Sequence, residues 1–311
     1  MRIAVTGATG LIGRALTARL VSAGHDLAAF SRNPEHARRL LPSRARILPW
    51  KPQDLGETAS ALAGVEAIVN LAGESLGSGR WTEAKKKAIL NSRVHAGTSL
   101  ALALTQLEAR PRIFIQASAV GFYGNAGDAE ADETTPCGEG FLSQIVRAWE
   151  GSVSDIPDLG ARLAILRLGM VLDAGGGALA RMVRPFKFYL GGVPGDGKAW
   201  VSWVHMRDGV SAFQWALENG AAEGLYNVTA PETLRASEFY PMVARTLKRP
   251  CKFPQPPWLL RLIFGEMADE LMLKGRRVRS EKIRAAGFSF SHPKAGEALK
   301  DLLAKGGSRS L

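Results

Sequence analysis

The sequence predicts an α/β fold with a doubly wound parallel sheet and a smaller, mostly helical C-terminal domain on the substrate side. The chain opens with a strand, a glycine turn, a helix and a second strand within about 30 residues. Strand-like and helix-like segments then alternate as far as residue 172, which is typical of a parallel, Rossmann-like sheet. After about residue 175 the sequence changes to Gly- and Pro-rich turns around short elements. We therefore expect domains over residues 1–230 and 231–311, with residues 175–205 contributing to the second.

The first element is a buried strand over Arg2–Val5, and the first helix begins near Gly10. The spacing of Gly7, Gly10 and Gly13 suits a dinucleotide-binding turn. The first glycine permits the turn, the second lets a pyrophosphate approach the backbone, and the third lets the helix pack on the sheet. The alternative is that these glycines only shape a strand–helix turn, but the context favours nucleotide binding. The residues predicted to contact the nucleotide in this turn are Gly7, Thr9, Gly10, Leu11, Ile12 and Gly13.

The end of the second strand, predicted over Leu27–Phe30, indicates which dinucleotide is bound. NAD sites usually carry an acidic residue there, on the ribose 2′-hydroxyl. This chain instead has Ser31 and Arg32, and both can donate hydrogen bonds to a 2′-phosphate. The sequence therefore predicts NADP(H) rather than NAD(H), unless Arg32 is an ordinary loop arginine.

The remaining elements follow in order. Further strands are predicted over residues 45–50, 66–74, 112–124, 161–172 and 224–231, and helices over 54–64, 82–107 and 139–153, with Asp54 as an N-cap. Ligands in such sheets lie beyond the C-terminal ends of the strands. That rule selects four segments: Gly7–Gly13, Ser31–Arg32, Leu71–Glu74 and Ser118–Tyr123.

Composition narrows the function classes. The chain has 311 residues, a net charge of +11, two cysteines without a CxxC spacing, and five scattered histidines, so we expect no metal site. Its basic clusters lack interleaved aromatic residues, and we expect no nucleic-acid partner. With no targeting segment and no apolar run of membrane-spanning length, the expectation is a cytoplasmic protein without a membrane partner, as a monomer or homodimer.

The ordered motifs TGxxGxxG, NLAGE, SAVGFYG, LRLGMVL and WVHMRD resemble those of extended short-chain dehydrogenases/reductases along nearly the whole chain. The sequence is more closely similar to an atypical branch called epimerase family proteins, some of which are called nucleoside-diphosphate-sugar epimerases or cell-division inhibitors. The residues typical of this branch that are present in the first two thirds of the chain are Gly79, Arg80, Trp81, Thr82, Lys86, Ile89, Ser92, Arg93, Gly140, Phe141, Leu142, Trp149, Glu150 and the stretch 175–197. The branch also has a C-terminal module of unknown function. Its typical residues here are Gly275, Arg277, Val278, Gly287, Phe288, Phe290 and Pro293.

The resemblance implies additional cofactor contacts beyond the glycine turn. It places NADP(H) against Ser31 and Arg32, as the residues themselves indicate. It also implies contacts at Leu71, Ala72, Gly73, Arg93 and Val171. Without the resemblance, Arg93 would be interpreted as a surface cation on the long helix.

The acid–base residues of the superfamily are not at their usual place. A working member uses a Ser or Thr with a YxxxK pair, whose Tyr exchanges the proton and whose Lys lowers the Tyr pKa. Ser118 matches the Ser position, but the helix that should carry YxxxK has neither residue over positions 140–147. The family name therefore describes the fold and leaves the activity open.

Several residues are candidate substitutes. Tyr123 could be the proton donor, or it could only shape its loop. Glu74 could act as a base or bind substrate hydroxyls, or it could be an ordinary loop carboxylate. Arg147 could replace the lysine charge, and Cys137 could be a nucleophile without a predicted histidine partner.

Two functions follow from this sequence. The first is an NADP(H)-dependent oxidoreductase or epimerase-like enzyme acting on a small polar substrate, with Ser118, Tyr123 and Glu74 as catalytic candidates. The second is a non-catalytic NADP(H)-binding regulator, in cell division or redox sensing, whose partner binding changes with cofactor occupancy.

Overall fold

The computed structural model describes residues 1–303 of the chain. Its strands are β1 (Arg2–Thr6), β2 (Asp26–Ser31), β3 (Arg46–Pro49), β4 (Ala67–Asn70), β5 (Ile113–Ala119), β6 (Glu130–Ala131), β7 (Arg162–Leu168), β8 (Met170–Leu172), β9 (Trp200–Val201), β10 (Trp203–His205), β11 (Gly224–Val228), β12 (Leu234–Arg235) and β13 (Arg277–Val278).

The α-helices in the same residues are α1 (Leu11–Ser22), α2 (Pro34–Leu40), α3 (Leu55–Leu62), α4 (Glu83–Thr105), α5 (Phe141–Gly151), α6 (Gly177–Lys187), α7 (Met206–Glu218), α8 (Ala236–Leu247), α9 (Pro257–Phe264), α10 (Glu266–Ala268), α11 (Glu281–Ala285) and α12 (Ala295–Leu303). Two 3₁₀ turns (Val120–Tyr123 and Pro157–Leu159) and one π-helical turn (Asp269–Leu273) complete the regular structure.

Seven parallel strands form the central sheet in the order β11-β7-β5-β4-β1-β2-β3. The chain proceeds from β1 outward to β3 and then returns to the other side through β4, so the sheet is doubly wound as predicted. The point where the direction reverses lies between β1 and β4, and their C-terminal ends open towards the glycine turn. This topology places the predicted nucleotide turn at the usual ligand-binding crevice.

Apolar helices cover both faces of this sheet. Residues of α1 and α7, including Leu16, Leu20 and Phe213, pack on one face. The helices α3 and α4 cover the other face through Leu62 and Leu100. Central strands buried on both faces need continuous apolar runs rather than alternation, which explains sequences such as Ile3–Val5 in β1.

The predicted strand over 161–172 is wrong as a single element, because it divides at Gly169. A Cβ at this residue would lie 2.8 Å from the backbone oxygen of Ser202, so only glycine permits the close approach of the two backbones. Beyond Gly169, β8 leaves the sheet and pairs in parallel with β10. The division directs Val171 away from the central sheet.

The region after residue 175 is more regular than the sequence indicated. Two full helices, α6 and α7, occupy segments where only short elements were expected. A second apolar core joins α6 and α8 with the C-terminal α12, through residues such as Phe186, Phe239 and Leu299. The predicted C-terminal helices are present as far as residue 303, and residues 304–311 of the predicted second domain lie outside the described residues. Because Ile283 and Phe288 pack into the core of α1 and α7, the boundary near residue 230 stays a prediction.

None of the helices in the described part of the chain has the length and apolar character that spanning a bilayer demands.

Candidate functional site

The turn between β1 and α1 is packed so closely at Gly7 and Gly13 that a side chain is excluded at both positions. Gly7 has a φ of +64°, and a Cβ there would lie 2.4 Å from the carbonyl oxygen of Leu71. A Cβ on Gly13 would lie 2.2 Å from the carbonyl oxygen of Gly7, so α1 approaches the turn as the sequence predicted. Gly10 caps α1 without a side chain. The first amides of α1 therefore form the kind of helix N-terminus that binds phosphate.

The end of β2 places Ser31 and Arg32 beside this turn. The Ser31 hydroxyl donates to the carbonyl oxygen of Asn33 at 3.0 Å, while the Asn33 side chain caps α2. Arg32 is exposed and close enough to Glu74 to lower the pKa of its carboxyl group. The guanidinium group thus remains accessible at the position that reads the ribose 2′-substituent in this fold.

Arg93 is buried, contrary to its interpretation as a surface cation. Its Nη1 donates to the carbonyl oxygens of Glu74 at 3.0 Å and Ile89 at 3.1 Å, and its guanidinium lies over the Trp149 ring. Burial lowers the Arg93 pKa to about 10, so the group is still charged at neutral pH. A Cβ on Gly73 would lie 2.9 Å from this guanidinium carbon. The structure therefore brings the predicted Gly73 and Arg93 together.

The segment after β4 also holds Glu74 in an ion pair. Lys85 on α4 donates to the Glu74 carboxylate at 2.6 Å and to the Ser78 hydroxyl at 2.6 Å. The hydrogen bond from Lys85 is the main cause of a lowered Glu74 pKa, with Arg32 adding to it. This geometry makes Glu74 a counter-ion among cations and gives little support to its predicted role as a base.

Leu11 and Val171 meet at the loop that leads into α6. Cβ atoms built on Gly176 and Gly177 would each lie 2.9 Å from the Leu11 side chain, and the one on Gly177 lies 3.9 Å from the carbonyl oxygen of Val171. Arg181 on α6 donates to the carbonyl oxygen of Gly77. Although β8 leaves the sheet, the predicted contact at Val171 still lies beside the glycine turn.

Ser118 and Tyr123 belong to a buried polar network across three strands. The sheet register places Ser118, Arg167 and Asn227 in one row on β5, β7 and β11. The Arg167 guanidinium donates two hydrogen bonds of 2.7 Å to the Glu150 carboxylate, and Ser118 donates to the same carboxylate. Tyr123 accepts from Arg167 at 2.9 Å and donates to Asn227 at 2.7 Å.

This network leaves neither hydroxyl free for a substrate. Tyr123 is 1% exposed and Ser118 is 3% exposed. Burial raises the Tyr123 pKa, although Arg167 opposes the shift. The geometry favours structural roles for both residues over the predicted catalytic ones. Sequence reasoning missed Arg167, for which the available signal was a charged residue inside an apolar strand, and it named Glu150 only as a family mark.

The N-terminus of α5, where the YxxxK helix should begin, has different chemistry. Phe141 packs edge-on against Trp81 with ring centroids 5.1 Å apart. The carboxylate of Glu270 accepts a long hydrogen bond of 3.4 Å from the Leu142 amide. A Cβ on Gly140 would lie 2.6 Å from the same carboxylate. Glu270 lies in the π-helical turn, a geometry common at functional sites, and no local sequence signal identified it.

The structure gives little support to Cys137 and Arg147 as replacements for the missing YxxxK residues. Burial raises the Cys137 pKa, and its sulfur lies 3.5 Å from the carbonyl oxygen of Gly138. A raised pKa disfavours the thiolate that a nucleophile requires. Arg147 lies close enough to oppose that shift in Cys137.

Two of the scattered histidines meet far from the glycine turn in sequence. His205 and His292 stack with ring centroids 3.8 Å apart and an interplanar angle of 14°. One ligand atom from each, together with Asp301, falls within a 4.8 Å cluster. The lone pairs of the two stacked rings lie in separate, nearly parallel planes that do not converge on one ion, so this geometry carries no metal assignment.

Comparison with known proteins agrees with the predicted fold and the predicted cofactor. Residues 3–145 match the model of the NAD dependent epimerase/dehydratase family, and residues 255–302 match a domain of unknown function, DUF1731. An epimerase family protein of Mycobacterium leprae is 36% identical over 96% of this chain and 94% of its own length. The Bacillus subtilis protein YfhF is 35% identical, covering 98% of both chains.

A solved structure of a family member matches the fold of this chain along nearly its whole length. The crystal structure of the human epimerase family protein SDR39U1 with NADPH has 32% sequence identity and a TM-score of 0.88, covering 98% of this chain and 99% of the human chain. The fold and the C-terminal module both agree with these comparisons. This chain belongs to the epimerase family proteins, a branch of the NAD-dependent epimerase/dehydratase family with a DUF1731 domain at its C-terminus.

Proposed function

We propose that this chain binds NADP(H) at the glycine turn and transfers hydride between the nicotinamide and a small polar carbonyl or alcohol substrate. The observation that carries the cofactor assignment is the exposed guanidinium of Arg32, which follows β2 where NAD sites usually have a carboxylate. Arg32 lies next to the glycine turn, where Cβ atoms are excluded at Gly7 and Gly13. The human relative crystallised with NADPH supports it. The residues that would hold the cofactor are Gly7, Thr9, Gly10, Leu11, Ile12, Gly13, Ser31, Arg32, Leu71, Ala72, Gly73, Arg93 and Val171.

Glu270 is the residue that we assign to proton exchange. It lies at the start of α5, where the missing tyrosine of YxxxK would be, while the hydroxyls of Ser118 and Tyr123 are used in the buried network. Bound NADPH supplies the hydride for reduction of a carbonyl carbon. On reduction, Glu270 would pass a proton to the carbonyl oxygen and regain one from water. In oxidation the carboxylate accepts the alcohol proton.

The first experiment tests the cofactor by calorimetric titration with NADPH and NADH. Arg32→Ala removes charge-assisted hydrogen bonds worth about 1.5–3 kcal/mol, so NADPH affinity should fall at least about tenfold. NADH should bind weakly to both proteins. Arg38→Ala is the matched control, because Arg38 on α2 is paired with Glu35. Equal NADPH affinity of the Arg32 variant and the parent protein would refute the assignment.

The second experiment tests proton exchange by following NADPH absorbance with a panel of small polar carbonyl compounds. Glu270→Gln should lower kcat, because the amide cannot exchange the proton, with NADPH affinity unchanged. Glu266→Gln is the control, because Glu266 is a nearby carboxylate whose ion pair is with Lys86. A Glu270 variant with full kcat would exclude the proton-exchange role.

A non-catalytic, NADP(H)-responsive regulator is the second candidate. It is favoured by the fact that Ser118, Tyr123 and Glu74 all have protein partners. This candidate predicts tight NADPH binding, no turnover of any compound in the panel, and a partner whose affinity changes with NADPH. Turnover with any substrate would reject it.

A further inference from the structure

An exposed apolar surface is formed by residues that are not among those assigned to the cofactor. We define the apolar–basic surface by the turn after α6 and the outer face of α9. Phe188 and Tyr189 in the turn are 67% and 61% exposed, and Trp258 and Leu262 on α9 are 66% and 65% exposed. Leu190, Phe253 and Ile263 are also exposed. Monomeric proteins seldom expose this many large apolar side chains close together without a partner.

The backbone holds these side chains outward. Amides of Phe188 and Leu190 both donate to the carbonyl oxygen of Pro185, which closes a tight turn at the end of α6. Tyr189 has a φ of +62°, a left-handed conformation that is uncommon for a bulky residue and favours a functional explanation. The Phe253 amide donates to the carbonyl oxygen of Gly191 at 3.1 Å, so the turn adjoins the segment that leads into α9.

The helix α9 packs one apolar side chain inward and leaves other apolar side chains exposed on its outer face. Leu260 is buried, whereas Trp258, Leu262 and Ile263 are exposed. The turn and the outward face of α9 therefore present aromatic and aliphatic side chains on neighbouring segments.

Basic residues outnumber acidic ones around this surface, although Asp269 pairs with Arg261 on α9. Residues 174–195 contain three basic and no acidic residues, and residues 239–265 contain five basic and no acidic residues. Lys187 and Lys252 are exposed directly beside Phe188 and Phe253. Arg249 lies over the Tyr189 ring, 4.7 Å from its centroid. A second copy of the chain would bring these cations against one another, so self-association at this surface is disfavoured.

We infer that the apolar–basic surface binds the surface of an anionic lipid bilayer. Tryptophan and tyrosine prefer the bilayer interface, aliphatic side chains enter the acyl boundary, and nearby lysine and arginine attract acidic headgroups. The protein would lie on the bilayer without crossing it. This proposal departs from the expectation that the chain has no membrane partner.

The test is co-sedimentation of the full chain with vesicles of phosphatidylcholine alone and of phosphatidylcholine mixed with phosphatidylglycerol. Binding should require phosphatidylglycerol and weaken at high salt. The double variant Trp258→Ser, Leu262→Ser should bind at least about tenfold more weakly, because two apolar side chains leave the interface. Lys187→Ala and Lys252→Ala should each weaken binding by about fivefold. Leu102→Ser is the matched control, because Leu102 is an exposed leucine on α4.

The outcomes separate this proposal from its alternatives. No binding to mixed vesicles, or equal binding of the double variant and the parent protein, overturns it. Equal binding to both vesicle types overturns the role of the cations. Lipid-independent dimers that the double variant abolishes would assign the surface to a second copy, and specific binding of an acidic protein without vesicle binding would assign it to a protein. NADPH titration of the same variants shows whether they are folded, and it tests the cofactor assignment separately.

Discussion

The stacked histidine pair makes the stability of this protein depend on pH in a way that can be measured. His205 caps α7, since its Nδ1 accepts a hydrogen bond of 3.1 Å from the Arg207 amide. Burial lowers the His205 pKa from 6.5 to about 4, and the His292 ring and Arg207 act in the same direction. Asp208 and Asp301 oppose the shift without reversing it. His205 is therefore neutral in the folded protein at neutral pH.

The sign and size of the effect follow from linkage. Because the folded pKa lies below the unfolded one, the unfolded state binds more protons between pH 6.5 and pH 4, and stability falls as the pH falls through that range. A shift of 2.5 units at about 1.36 kcal/mol per unit gives a loss of roughly 3 kcal/mol by about pH 4, with no further loss below it.

The variant His205→Asn tests this reasoning. Asparagine is a good N-cap and can accept the hydrogen bond from Arg207, but it does not titrate. Urea unfolding of both proteins between pH 7 and pH 4 should show the parent protein losing about 3 kcal/mol more than the variant. His36→Asn, on the exposed surface of α2, is the control and should follow the parent protein. Parallel curves for His205→Asn and the parent protein would refute a depressed pKa for His205.

Three further predictions concern the glycine turn and the buried network. Gly13→Ala should destabilise the fold by about 1–3 kcal/mol in urea unfolding and weaken NADPH binding, because its Cβ would meet the Gly7 carbonyl oxygen; an unchanged protein would disprove this packing. Arg167→Met should cost about 3–5 kcal/mol by leaving the buried carboxylate of Glu150 unpaired, and adding Glu150→Leu should recover part of that loss; no recovery would contradict the ion-pair explanation. Tyr123→Phe should cost about 1–3 kcal/mol of stability but leave turnover intact, and loss of turnover at full stability would restore Tyr123 as the proton donor.

Two features of α5 explain why family membership does not determine the reaction. One is its buried ion pair, and the other is the absence of YxxxK at its N-terminus. The helix α5 keeps Glu150 in its ion pair with Arg167, so the sheet and helix are held as a unit. Its N-terminus carries Phe141 instead of a titratable residue. An acid–base group at this end would have to come from another part of the chain, and the carboxylate of Glu270 contacts the Leu142 amide there.

The sequence by itself determined the features whose causes are local. Gly7 and Gly13 could be interpreted because a strand, a turn and a helix are adjacent in the chain, and the structure confirms that side chains are excluded at both. The doubly wound sheet could be predicted because continuous apolar strands alternate with helices. The absence of a carboxylate after β2 likewise needed only the position of one strand end.

Tertiary structure decided everything that depends on residues distant in sequence. Tyr123 and Asn227 are 104 residues apart and meet only because β11 joins the sheet beside β7, which commits the Tyr123 hydroxyl to the network. Leu142 and Glu270 are 128 residues apart, and no periodicity or spacing links them. Local patterns specify which faces are buried, whereas hydrogen-bond partners depend on strand order and on how the C-terminal module packs. For this reason the sequence alone could predict a cofactor turn, but only the packed structure showed which polar side chains already have protein partners.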